Sequence, residues 1–395
     1  MTKVLAINAG SSSVKWKMFN AQNEEVIAEG AAERIGIKGS NYQIKYDGKK
    51  IEETIEIKDQ EQAVSIILKA MIELGIVASY DEIKGIGHRI VAGGEHFAQS
   101  TLITEDVLNK IYDLSEFAPL HNPVEARCIE AFEKVLPDIP QVAVFDTSFH
   151  KTMPKENYLY SIPMEYYEKY GARKYGAHGT SHRYVSQRAA DVLGQDIKNL
   201  RLITVHMGNG ISLTAVENGQ SIDTSMGFSP LAGVTMSTRS GDIDASLMAY
   251  LMEKLEIENP QEMISILNGK SGLLGLSGLS SDMRDLENNI ENPQVKLTVD
   301  IFVNRIVKYI SQYITEMGGV DGIVFTAGIG ENNPWLLDRI SNKFAYLGAK
   351  VDPEKVEVRR QETIFSAEDS TIKLMLVPTN EEIMIIRDLV EIAKL

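Results

Sequence analysis

One pattern, met twice, constrains this chain more than anything else in it. Residues 3–7 (KVLAI) are an apolar run, 8–13 (NAGSSS) are turn-rich, and 14–19 (VKWKMF) alternate apolar with polar. That order predicts strand, turn, strand. At 201–216, RLITVHMGNGISLTAV repeats it, and 4–10 aligns with 202–208. A duplicated hairpin implies two related domains, each presenting a glycine turn to a phosphate. The chain has 395 residues, too many for one ordinary core, so two domains are expected on length as well.

The rest of the chain reads as strands alternating with helices. Val64, Ile67, Leu68, Met71 and Leu74 recur at helical spacing within 61–75. Residues 142–145 (VAVF) are a buried strand ending at Asp146. Residues 181–193 read as a helix with Ser181 as its N-cap. A long amphipathic helix is expected at 295–317. A strand at 321–325 runs into TAGIGENN, and a strand at 373–377 runs into PTNEE and a closing helix at 383–395. The polar stretch 38–60 reads as hairpin and loop. The class is α/β with mixed sheets.

Charge and cysteine usage narrow the function. The formal net charge is −15, which argues against a non-specific binder of nucleic acid or anionic membrane. An enzyme for anions would need a locally positive site on this body. The single cysteine, Cys128, allows no internal disulfide and suits a reducing compartment. No stretch of 18 apolar residues and no signal-peptide pattern occurs, so a cytoplasmic location is expected.

Phosphates are held by backbone N–H groups, which requires close approach and a missing Cβ. The candidate turns are Gly10 with its three serines, Gly208-Asn209-Gly210, and Gly328-Ile329-Gly330. None is a P-loop. Arg89 in GHRIVAGG and Arg239 in MSTRSGD read as loop arginines among small residues, placed to clamp an anion. His178 and His182 are four apart, but the intervening Gly179 and Thr180 argue against one shared face, and no zinc pattern supports a metal there. His178 stands apart from the other histidines because its Gly-rich loop adjoins a helix start, where anions collect. Asp146 and Glu381 end apolar strands, where Mg²⁺ is often held, although Glu381 and Glu382 read equally well as first-turn helix acids.

Six strings, NAGSSSVK, AHGTSH, HMGNG, TRSGD, FTAGIGEN and PTNEE, run in order from residue 8 to residue 382. Together they resemble the acetate and propionate kinase family. The resemblance implies two duplicated actin-like ATPase (ribonuclease H-like) domains with a nucleotide cleft between them. The expected boundaries are 1–148, completed by 382–395, and 149–381. It implies Mg²⁺-dependent transfer of the ATP γ-phosphoryl group to acetate, with Mn²⁺ as a substitute metal, ATP and acetate as the small-molecule partners, and a homodimer without nucleic acid or membrane partners.

Position by position, Arg89 and Arg239 resemble the arginines that bind the carboxylate and the moving phosphoryl group. His178 resembles the histidine that contacts that group, and Asp146 an essential acid. Asn8 and Glu381 resemble the magnesium-site residues. Val91, Leu120 and Pro230 match the apolar acetate pocket, with His121 close to it. Lys15, His206, Asn209, Gly210, Asp282, Met283, Arg284, Gly328, Ile329, Gly330 and Asn332 match the ATP side. Ala177 departs from the Phe found there in many members, which keeps propionate open as the acid, whereas Val91 argues for acetate. A non-enzymatic actin-like ATP-binding protein is the reading from another class. It would lack the two-arginine anion clamp.

Overall fold

The structure is a computed structural model that describes residues 2–395. The chain divides into two compact units, Met1–Ser148 with Asn380–Leu395, and Phe149–Thr379.

Unit 1 carries strands β1 (Lys3–Gly10), β2 (Ser13–Asn20), β3 (Val26–Glu33), β4 (Asn41–Tyr46), β5 (Lys49–Thr54), β6 (Ile83–Ile90), β7 (Thr101–Leu102) and β8 (Gln141–Phe145). Its helices are α1 (Gln60–Glu73), α2 (Glu105–Asp113), α3 (Asn122–Val135) and, from the far end of the chain, α14 (Glu381–Ala393). The strands form one sheet in the order β5-β4-β3-β2-β1-β6-β8-β7. β1 is antiparallel to β2 and parallel to β6, which is parallel to β8.

Side chains alternate across a strand, and β1 shows what that does. Leu5 and Ile7 face a core with Val64 and Leu68 of α1 and Cys128 and Phe132 of α3. Val4 and Ala6 face Ile385, Ile386 and Leu389 of α14. A strand buried on both faces has to be apolar throughout, as KVLAI is. Gly87 of β6 matters here. A Cβ on it would collide with Ile385 Cγ2, so its absence lets α14 lie close against the sheet.

Unit 2 carries β9 (Arg201–Met207), β10 (Ile211–Glu217), β11 (Gln220–Thr224), β12 (Gly322–Thr326), β13 (Thr363–Ile364) and β14 (Lys373–Leu376), in the sheet order β11-β10-β9-β12-β14-β13. Its helices are α4 (Lys155–Tyr158), α5 (Met164–Tyr170), α6 (Gly179–Leu193), α7 (Ala245–Lys254), α8 (Pro260–Gly269), α9 (Gly272–Ser277), α10 (Met283–Asn288), α11 (Pro293–Glu316), α12 (Ala327–Asn332) and α13 (Pro334–Ser341). β9 is antiparallel to β10 and parallel to β12, which is parallel to β14. That repeats the arrangement around β1, so the two matching sequence hairpins hold equivalent places in two sheets of one topology. Ile203, Val205 and Met207 face a core with α11, and Leu202 faces one with Val185 and Ala189 of α6. α11 starts with Asn292 capping Gln294 N–H and Pro293 at its first position, the combination expected of a strong helix start.

Three expectations need correction. Ser181 does not cap its helix. α6 begins at Gly179, His178 is the cap, and Ser181 lies inside the first turn. Residues 328–330 are not a glycine turn after the strand but the body of α12, entered through Ala327 at φ 65°. Arg89 is not in a loop but is the penultimate residue of β6. The glycines on either side of these segments suggested loops. Cross-strand and helical hydrogen bonds decided otherwise. No helix is long and apolar enough to cross a membrane among the described residues.

Candidate active site

In open α/β sheets the backbone beyond the C-terminal ends of parallel strands is left to bind ligands. Both units place polar groups there. In unit 1, Asn8 lies two residues before the end of β1, Arg89 is the penultimate residue of β6 and Asp146 follows β8. Asp146 is 1% exposed, and its carboxylate accepts from Arg89 Nε at 3.1 and 3.2 Å and from Nη2 at 2.6 Å. Arg89 Nη1 also donates to Asn8 Oδ1 at 3.3 Å. The Asp146 charge holds the guanidinium well above its ordinary range. A planar fork gripped on one edge is fixed in direction.

Two further carboxyls lie in the field of this pair. Glu381, in the first turn of α14, is pushed up to about 7 by burial, with the Asp146 charge adding to the rise and Arg89 opposing it. Glu125 of α3 is 2% exposed and is pushed up to about 8, again chiefly by burial. Its Oε2 accepts from Val91 N–H at 3.1 Å. Next to it, Asn122 accepts from Ala92 N–H and donates to Ala92 O, and Thr147 Oγ1 accepts from Gly93 N–H. The segment 91–93 after β6 is therefore pinned residue by residue.

Sequence reading missed Asn122, Glu125 and Thr147. The signal was present for Glu125. It shares a helical stripe with Ile129 and Phe132, an apolar face on which a carboxyl is out of place. Near a Pro-containing helix start it passes for an ordinary first-turn acid. Of the other unit 1 candidates, Leu120 is 73% exposed, His121 caps α3 and is exposed, and Lys15 is exposed on β2 opposite Asn8.

Unit 2 gathers its groups around the β9–β10 turn. Gly208 N–H donates to Gly210 O across the turn. A Cβ on Gly210 would sit 3.1 Å from Arg239 Nη1 and 3.5 Å from His178 Nε2. The glycine therefore leaves room for both side chains over the turn. Arg239 Nη1 donates to Pro230 O at 3.2 Å, and among the described residues no carboxylate pairs with Arg239. Burial alone moves its guanidinium, and moves it down.

His178 has φ 56°, a backbone conformation uncommon outside glycine. Its ring stacks on His206, with centroids 4.1 Å apart and planes 22° apart, and its Nδ1 bonds Ser212 Oγ. His206 Nδ1 bonds Ser181 Oγ, which bonds Thr379 Oγ1. His182 also reaches Ser212. The two histidines that sequence spacing set apart thus converge on one hydroxyl, because the cap residue and the first turn of α6 turn their side chains to the same side.

The remaining unit 2 candidates fall in separate places. Met283 is 2% exposed in the main core, and Asp282 caps α10 and pairs with Arg284. In α12, Asn332 Nδ2 donates to Gly328 O while its Oδ1 accepts from Arg360 Nε. Ile329 packs on the main core, and Gly330 is buried in α12. Ala177 is 5% exposed within the same main core, and its carbonyl accepts from His150 Nε2.

Two α/β units of one topology, each with polar side chains gathered at its strand ends, define a class. They are the two actin-like ATPase-type domains of that superfamily's kinases. The family model described as the acetokinase family matches residues 3–387, and the chain belongs to that family. It is 59% identical to an acetate kinase of Enterococcus faecalis, over 98% of this chain and 99% of that one. It is 57% identical to an acetate kinase of Limosilactobacillus fermentum over the whole of both chains. The crystal structure of Porphyromonas gingivalis acetate kinase superposes with a TM-score of 0.95 at 40% identity, covering 99% of this chain and 100% of that one. A propionate kinase from Francisella tularensis superposes at 0.92 and 39% identity, with the same coverage.

Proposed function

We propose that this protein reversibly transfers the γ-phosphoryl group of ATP to acetate, giving acetyl phosphate and ADP. The observation that carries the reading is Arg239. It is a partly buried guanidinium with no carboxylate partner among the described residues, set beside His178 over a glycine turn.

A carboxylate is already an anion at neutral pH, so no base is needed to make the nucleophile. The obstacle is repulsion between two anions. An acetate oxygen attacks the γ-phosphorus in line, that bond forms as the bond to the β-phosphate bridging oxygen breaks, and ADP leaves. Arg239 and His178 of unit 2 neutralise charge on the phosphoryl oxygens, and the turn at Asn209 and Gly210 offers backbone N–H groups to the nucleotide. Arg89 of unit 1, held by Asp146, orients the carboxylate. Asp146 acts through Arg89 and moves no proton. Val91, Leu120 and His121 of unit 1 and Pro230 of unit 2 are assigned to the acid. Lys15, His206, Asp282, Met283, Arg284 and the α12 residues Gly328, Ile329, Gly330 and Asn332 serve the nucleotide.

The donors at Asn8 and Glu381 are hard oxygens, which suit Mg²⁺ or Mn²⁺. Glu381 is a desolvated carboxyl with Asp146 as a like-charged neighbour, a setting that favours a cation beside it. No cage of three or more His, Cys, Asp or Glu side chains occurs among the described residues. One or two protein oxygens with phosphate oxygens and water is the usual Mg²⁺ environment in such enzymes. When bound, the ion screens charge on the phosphates.

A homodimer is part of the same reading. Helix α7 buries none of its residues, although Leu247, Tyr250 and Leu251 are apolar, and Leu247 and Tyr250 are 42% and 55% exposed. A second copy of the chain is the proposed cover.

Purified protein with Mg-ATP and acetate, propionate or butyrate, trapped with hydroxylamine, tests the activity. Acyl hydroxamate formed fastest from acetate is the expected result. Faster reaction with propionate would keep the chemistry and change the acid. ATP hydrolysis with no trapped product would overturn the reading.

A further inference from the structure

Outside the groups assigned above, unit 2 buries a line of polar atoms that no step of the reaction uses. Thr204 Oγ1 on β9 is 2.7 Å from His182 Nδ1. His182 Nε2 is 2.7 Å from Ser212 Oγ on β10. Ser212 Oγ is 2.8 Å from His178 Nδ1. Thr204, His182 and Ser212 are each 0% exposed. Buried polar groups of this kind have to be hydrogen-bonded, and here the requirement sets a direction.

A hydroxyl has one proton to donate, and a neutral imidazole has one donor and one acceptor nitrogen. Among the described residues, His182 Nδ1 is the one side-chain partner of Thr204 Oγ1. If Thr204 merely accepted, its own O–H would be left buried and unmade, which is costly. Thr204 therefore donates, and His182 Nδ1 accepts. His182 then carries its proton on Nε2 and donates it to Ser212 Oγ. Ser212, having accepted there, donates its own proton to His178 Nδ1. The one nitrogen of His178 left to bear a proton is Nε2, the nitrogen beside Arg239 Nη1 over Gly210. Burial keeps His182 neutral, well below its ordinary range, so the line is not inverted by a proton arriving at its middle.

We propose that Thr204, His182 and Ser212 form a directional hydrogen-bond relay that holds His178 as its Nε2–H tautomer, a donor aimed at the transferring phosphoryl group. These three are positioning residues, since none touches substrate. The reverse tautomer would present a lone pair to an anion, and a phosphoryl oxygen would be repelled where it should be bound. The aim at the phosphoryl group rests on the function proposed above, but the tautomer itself does not.

The test uses the full-length chain with ¹⁵N-labelled histidine, because ring-nitrogen shifts report the tautomer without any substrate. The expected spectrum has His178 and His182 both protonated on Nε2. Thr204→Val, which keeps the shape and removes the hydroxyl, and Ser212→Ala should each give His178 as a tautomer mixture. Both should lower kcat about ten-fold, the scale on which partners that orient a working imidazole act, with KM for ATP and for the acid unchanged. Thr204→Ser should restore both tautomer and kcat. A wild-type His178 protonated on Nδ1 would overturn the proposal. So would a Thr204→Val protein that loses kcat while His178 keeps its tautomer, since that loss would be structural only. If wild-type protein shows the relay tautomers but forms no acyl phosphate, the relay stands and the reaction assigned to it falls.

Discussion

Arg89 and Arg239 are the same residue type in two electrostatic settings. Arg89 is paired with a buried acid and pushed up by it, whereas the hydrogen-bond partners of Arg239 among the described residues are a carbonyl and a thioether. The unpaired cation is the one whose charge is left for a ligand. Arg239→Ala should lower kcat by about 10³-fold, the low end of what an arginine at a transferring phosphate contributes. Its melting temperature should stay near wild type, because burial disfavours that charge and removing it leaves no orphaned carboxylate, only the Pro230 carbonyl without its donor. Near-normal turnover in a folded variant would end the assignment.

Glu125 gives a second residue-scale test, through pH. Its carboxyl titrates near 8 in the folded chain against an ordinary 4.5, so between those values the unfolded chain has lost a proton that the folded chain keeps. Stability contributed by this group is present below about pH 4.5 and lost as pH rises through 8, at no more than about 1.4 kcal/mol per pH unit. Glu381, pushed up to about 7, acts in the same direction. Glu125→Gln keeps an acceptor for Val91 N–H and removes the titration. Melting temperatures of wild type and variant should diverge between pH 5.5 and 8.5, with the variant losing less. Parallel curves would show that Glu125 does not titrate there.

At the scale of elements, two enclosed positions each predict a loss of stability. Gly87→Ala would set a methyl group against Ile385 and lift α14 from the sheet it covers. The expected cost is about 1–3 kcal/mol, read as a lower midpoint in urea with an unchanged slope. Ala177→Phe puts a ring into a core where Ala177 is already enclosed by unit 2 side chains. A loss of the same size is expected. An Ala177→Phe protein as stable as wild type, and with sharper acetate preference, would show instead that the position opens on the acyl pocket.

These elements also show what the sequence could disclose. β1 and β9 were legible because a strand buried on both faces has to be apolar throughout, and the turns after them because glycine marks them. The cap of α6 was not. His178 adopts a positive φ that no local propensity predicts, so the helix began three residues earlier than a serine cap would have placed it. Ser212 and Thr204 were invisible as site residues. On a strand they read as ordinary β-formers, and only the pairing of β9 with β10 beneath α6 brings them to His182. Asn122 and Thr147 were hidden for the same reason, since each acts on backbone far away in sequence.

Over the whole molecule, a chain of net charge −15 binds anions only where backbone N–H groups and a few fixed arginines oppose its own field. The exposed apolar face of α7 is the other molecule-wide feature. On the proposed homodimer, Leu247→Lys combined with Tyr250→Lys should shift the mass seen by light scattering from twice the chain mass to once. No shift would place the subunit contact elsewhere. The division of the chain carries a consequence for its synthesis. The strands of unit 1 leave the ribosome long before α14, because the whole of Phe149–Thr379 is made in between. At about 5–20 residues per second, that leaves the α14 side of Val4, Ala6, Val142 and Val144 bare for roughly 10–50 s. A nascent chain in that interval carries an uncovered apolar sheet face, and its N-terminal sheet closes only once α14 has been made.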